Sequence, residues 1–87
     1  MLIAIPSKGR PTRVRSAEVL ADAVVFVPEN ERASYQRAAP RRRIVGVPAK
    51  VRGITATRNW ILDQTDDPWV VFVDDDVKAQ GWKKLEP

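Results

Sequence analysis

Cysteine and histidine are both absent from these 87 residues, and the two absences remove most familiar catalytic options. Without cysteine there is no disulfide framework, no thiolate nucleophile and no zinc–thiolate site. Without histidine, the commonest general base and the commonest transition-metal ligand are missing. Any metal must be held by carboxylates, carbonyls, water or substrate phosphates, which favours magnesium or manganese over zinc. Long hydrophobic runs are lacking too, and none nears the ~20 residues of a membrane span. Met1 to Ile5 is too short for a signal-peptide core and has no basic lead. The expectation is one domain, residues 1–87, without a targeting segment and located in the cytoplasm. So small a chain buries only about 60–65% of its unfolded surface.

What is present is a hydrophobic strand that ends in three aspartates. Val70-Val71-Phe72-Val73 is strongly β-prone, is bounded by Pro68, and runs into Asp74-Asp75-Asp76. Three adjacent carboxylates repel one another, and a hard divalent cation is the usual remedy. The triplet therefore reads as a metal site at the carboxyl end of a strand.

Charge layout supports this reading. The net charge is +4, yet residues 1–58 hold twelve of the fifteen Lys and Arg, while six of the eleven acids lie from Asp63 to Asp76. A basic front and an acidic rear suit a site where cations and a metal meet one polyphosphate. Arg41-Arg42-Arg43 is a candidate for neutralising nucleic-acid phosphates and also reads as a solvated loop before a strand.

Four continuous apolar runs, Leu2 to Ile5, Val24 to Val27, Ile44 to Val47 and Val70 to Val73, look like strands buried on both faces. Helical segments are expected between them, from about Thr12 to Ala23, Asn30 to Ala39 and Gly53 to Gln64. This alternation predicts an α/β fold with a mostly parallel sheet of about four strands and right-handed crossovers. In such sheets ligands sit outside the carboxyl ends of the strands, where strand order reverses. With the order 3-2-1-4, the loop Ser7 to Arg10 lies beside Asp74 to Asp76.

Within the third helix, Ile54, Ile61 and Leu62 define an apolar arc that contains Arg58. A buried guanidinium needs an anion. An ion pair with an aspartate of the triplet and a diphosphate contact both meet that need. In Ser7-Lys8-Gly9-Arg10-Pro11, Gly9 permits a tight turn while Lys8 and Arg10 can meet phosphate. Glu29 and Asn30 can hydrogen-bond a base or ribose, although Asn30 also suits a helix cap. Trp60, Trp69 and Trp82 read as structural, with Trp82 also a candidate for stacking on a base or sugar.

Taken together, these elements resemble the nucleotide-sugar-binding half of a GT-A-fold glycosyltransferase. The carrying stretches are Arg52-Gly53-Ile54-Thr55-Ala56-Thr57-Arg58-Asn59, the strand ending in the DxD of Asp74-Asp75-Asp76, and the opening Ile3 to Pro11. More narrowly, Ile5-Pro6-Ser7-Lys8-Gly9-Arg10-Pro11, Val27 to Glu31, Val47-Pro48 and Arg52 to Asp63 look like the TET-associated glycosyltransferases of phages. That group is thought to glycosylate hydroxymethylated pyrimidines in DNA.

The resemblance implies a Rossmann-like sheet with helices on both faces and a nucleoside-diphosphate-sugar donor. It further implies modified DNA bases as acceptor, and the host cytoplasm as location if the chain is phage-encoded. Asp74 and Asp76 would hold Mn2+ or Mg2+, and Asp75 would contact metal or ribose. Arg58 would meet the nucleotide, Pro6, Ser7 and Lys8 would line the base pocket, and Glu29 would reach the base or ribose. GT-A enzymes usually continue well beyond the DxD, whereas Val77 to Pro87 is all that follows here. The expectation is thus a donor-binding half, incomplete at its C-terminus, with no general base assignable. The chain reads as a fragment, a donor-binding module or a subunit completed by another chain, and exposed apolar surface at the missing half would favour a homo-oligomer. The rival reading is a non-catalytic nucleotide- or nucleic-acid-binding module.

Overall fold

The computed structural model describes residues 1–9, 20 and 22–75. Four strands, β1 (Leu2–Pro6), β2 (Val24–Pro28), β3 (Arg43–Val47) and β4 (Val70–Phe72), form one sheet in the order β3-β2-β1-β4. Every pairing is parallel. Strand order and direction are those expected, and each strand boundary falls within one residue of its apolar run. The helix expected from about Thr12 to Ala23 lies almost wholly outside the described residues.

Two apolar layers follow from the pleat, because successive side chains point to opposite faces. Ile5, Val25 and Val27 bury themselves on one face with Ala23 and Tyr35. Ala4, Val24, Phe26 and Val47 do so on the other with Ile61. Tyr35 comes from helix α1 (Arg32–Ala38) and Ile61 from helix α2 (Ile54–Gln64), so the two helices cover opposite faces. Tyr35, Ile5, Ile61, Val25 and Val27 are the largest fully buried side chains, each contributing about 1.5–3 kcal/mol by leaving water. The edge strand β4 is less covered, and Val71 is 43% exposed.

Local signals set the helix ends. The segment expected to be helical from Asn30 opens instead as a 3-10 turn over Glu29–Glu31, without a side-chain cap, and becomes α-helical at Arg32. Helix α1 ends at Ala38, and the cap residue Ala39 has left helical geometry just before Pro40, where the proline ring disfavours the α region. The Gln36 amide then ties down the carbonyls of Ala39, Pro40 and Arg42. After α2, the backbone N–H of Asp67 donates to Thr65 Oγ1 and that of Trp69 to Asp67 Oδ1. These are two side-chain-closed turns that deliver the chain into β4.

Helix α2 presents a different face from the one expected. Ile61 is buried and Trp60 packs beside it, while Ile54 and Leu62 are 54% and 48% exposed. The helix packs on the sheet through Ile61 and Trp60, and Arg58 is left exposed. Arg58 is thus not a buried guanidinium. Trp69 also differs from expectation: it is 73% exposed and holds the fold through its backbone, accepting from Leu2 N–H at 2.8 Å. No helix among the described residues is long and apolar enough to cross a membrane.

Candidate functional site

The residues that follow the strands converge on one cleft of about 710 Å³ at the carboxyl end of the sheet. That volume is in the range of small-ligand sites. Pro6, Ser7 and Lys8 enter from β1, Pro28 to Glu31 from β2, and Val47 to Ala49 from β3. Arg52 to Ile54 and Thr57 close it from the start of α2, and Asp75 reaches it from beyond β4. The strand order explains the gathering, because β1 is paired on both sides and its loop sits between those of β2 and β4.

Two of its lining residues, Ser7 and Asp75, belong to a hydrogen-bonded chain of three side chains that runs into the core at Tyr35. Ser7 Oγ donates to Asp75 Oδ2 at 2.7 Å and lies 2.7 Å from the Tyr35 hydroxyl. Serine has one proton and a carboxylate only accepts, so Tyr35 is the donor to Ser7. The Ser7 backbone N–H is itself held by Phe26 C=O at 2.9 Å.

Two further contacts shape the rim. Gly9, in the left-handed region at φ 70, turns its N–H onto Glu31 Oε1 at 2.6 Å and so pins the β1 loop to the 3-10 turn. Glu29 accepts from Arg32 Nε at 3.0 Å, and its carboxylate lies against Gly46, where a side chain would overlap it. Lys8 and Arg52 bring positive charge to the same lining as Glu29, Glu31 and Asp75. The cleft therefore offers both cations for phosphate and acceptors for sugar or base hydroxyls and amines.

Of the residues singled out from sequence, Pro6, Ser7, Lys8, Glu29 and Asp75 line this cleft together. Asp74 is exposed next to Asp75. Arg58 stands outside the lining, with its guanidinium 5.5 Å from the centre of the Phe72 ring. The guanidinium is thereby set along β4, two positions before Asp74. Arg10, Asp76 and Trp82 lie outside the described residues. Arg41 to Arg43 fall at the amino end of β3, at the opposite end of the sheet from the cleft.

Sequence reasoning missed Tyr35, Glu31, Arg52 and Thr57. Arg52 and Thr57 were in plain view within the recognised stretch from Arg52 to Asn59. Tyr35 gave no local sign of its contact with Ser7, 28 positions earlier.

The comparisons with known proteins bear on the family of the chain. A family model described as TET-Associated Glycosyltransferase matches residues 1–86. Comparison with curated proteins gives no match, and comparison with solved structures gives none. The family match spans all but the final residue and includes every element that builds the cleft. The chain belongs to the TET-associated glycosyltransferase family.

Proposed function

We propose that the cleft is the donor site of a metal-dependent glycosyltransferase, with residues 1–87 acting as its nucleotide-sugar-binding half. The observation that carries this reading is the Ser7–Asp75 hydrogen bond, which joins the β1 loop to the acidic end of β4 on one cleft. Pro6, Ser7 and Lys8 line the base pocket, Glu29 reaches the base or ribose, and Asp75 meets the ribose. Arg58 and Arg10 contact the diphosphate. The acceptor class is a modified base in DNA, which suits a chain of net charge +4.

The donor set fits magnesium or manganese. Among the described residues no three carboxylate, histidine or cysteine side chains converge. These ions need only one or two carboxylates when substrate phosphates complete the shell. Asp74 and Asp76, on either side of Asp75, are the proposed holders. When bound, the cation supplies charge stabilisation to the departing nucleoside diphosphate. Lys8, Arg10 and Arg58 add to that by direct contact, and arginine's planar fork suits paired phosphate oxygens.

The test is calorimetric titration of uridine diphosphate, with and without manganese, into wild type and Asp76→Ala. Binding that requires both manganese and Asp76 supports the reading. No binding by a folded protein sinks the uridine form, and other nucleoside diphosphates then decide the donor-site reading as a whole. Salt-steep DNA affinity that ignores Asp76→Ala favours a plain nucleic-acid-binding module instead.

A further inference from the structure

We propose that Tyr35 is a positioning residue of the donor site, fixing the carboxylate of Asp75 toward the cleft through the hydroxyl of Ser7. The functional consequence rests on the donor-site reading above, whereas the relay itself rests on side-chain geometry alone.

Tyr35 is 1% exposed and Ser7 6% exposed. The tyrosine ring packs among Ile5, Ala23, Val25 and Val27. Phenylalanine would fill the same space with no polar atom to satisfy. A buried hydroxyl is tolerated only when paired, and this one is paired with Ser7 at 2.7 Å. Ser7 passes the polarity on, giving its single proton to Asp75 Oδ2 at 2.7 Å. Both bonds point the same way, so each polarises the next toward the carboxylate.

The relay acts where the sheet no longer does. Strand β4 is three residues long, and Val73 N–H still reaches Ala4 C=O at 3.0 Å. Asp75 lies two residues further along, beside the acidic Asp74. Ser7, by contrast, is anchored through its own N–H to Phe26 C=O. A donor on an anchored backbone thus orients an acceptor at the end of a short strand. A carboxylate ordered before the ligand arrives loses no rotamer freedom on binding. The position of α1 is thereby coupled, through one hydroxyl, to the acidic end of β4.

The test combines two readouts. In the ligand-free protein, side-chain scalar couplings of Asp75 report a single χ1 rotamer in wild type and averaged rotamers in Tyr35→Phe. Titration with uridine diphosphate and manganese shows Tyr35→Phe weakening affinity about three- to tenfold, the scale of one lost hydrogen bond. In an Asp75→Ala background, Tyr35→Phe weakens binding no further, because the relay has lost its end point. Ser7→Ala reproduces both effects and carries the test should Tyr35→Phe not fold. An Asp75 rotamer that is averaged in wild type, or unchanged in the variants, overturns the relay. So does an equal loss of affinity in the Asp75→Ala background, which marks Tyr35 as a packing residue only. If wild type binds no nucleotide, the donor-site reading fails, while the ligand-free couplings still decide the relay.

Discussion

The Ser7 hydroxyl donates to the Asp75 carboxylate at 2.7 Å across 68 positions of chain. That bond ties the first loop of the molecule to the acidic end of its last strand. It also separates the roles of neighbouring aspartates, since Asp75 is built into the core hydrogen bonding whereas Asp74 is exposed.

The two aspartates should therefore respond differently to substitution. Asp75→Ala leaves the buried hydroxyls of Ser7 and Tyr35 without their terminal acceptor and costs about 1–3 kcal/mol of stability. Asp74→Ala, at an exposed position, costs less stability than Asp75→Ala. Both weaken binding of nucleoside diphosphate with manganese. Urea denaturation alongside calorimetry separates the two effects, and equal stability losses would contradict the assignment.

Gly46→Ala tests the placement of Glu29. An alanine Cβ overlaps the Glu29 carboxylate, but that group is the far end of an exposed side chain and can swing away. Among the described residues the pairing disturbed is with Arg32, an exposed ion pair worth little. Melting temperature is expected to change little, and nucleotide affinity to fall as Glu29 leaves the cleft. A large loss of stability would show that Glu29 cannot move.

Arg58 carries a contact that is easily tested. Its guanidinium over Phe72 contributes about 0.5–1 kcal/mol at an exposed position. Arg58→Ala therefore costs no more than about 1 kcal/mol, yet weakens diphosphate binding. Arg58→Lys keeps the charge but not the fork, and is expected to recover only part of that binding. Full recovery by lysine would rule out a bidentate contact.

Asp67 gives the fold an acid-sensitive turn. Its carboxyl is held below the ordinary value of 3.8, first by the Trp69 backbone N–H and then by the N-terminal ammonium. A depressed carboxyl contributes stability above its unfolded value and loses it as pH falls through the folded value. Asp67→Ala should lower the melting temperature at pH 7, and the gap to wild type should close in strong acid. Asp67→Asn, which keeps an acceptor for Trp69, should fall between them. A gap that is constant with pH would contradict this.

The sheet was legible because strands buried on both faces leave continuous apolar runs, and the loops after them hold the special residues. Pro6, Ser7, Lys8, Glu29 and Asp75 were found that way and do share one cleft. The face of α2 was not legible. Angular periodicity weighed Ile54, Ile61 and Leu62 alike, whereas of the three only Ile61 is buried, with Trp60 packed beside it. Tyr35 was not legible for another reason. It lies in the polar stretch Arg-Ala-Ser-Tyr-Gln-Arg-Ala, and only the folded sheet brings its hydroxyl to Ser7. Glu31 became visible only once the turn at Gly9 was placed.

The central claim is that a metal–nucleotide complex binds between the β1 loop and the end of β4. Manganese is paramagnetic, so amide spectra of the protein with uridine diphosphate and substoichiometric manganese locate the ion directly. The account predicts selective broadening at Ser7, Lys8, Asp74 and Asp75, lost in Asp76→Ala. Broadening that is absent, or that centres on Arg41 to Arg43 at the far end of the sheet, would contradict it.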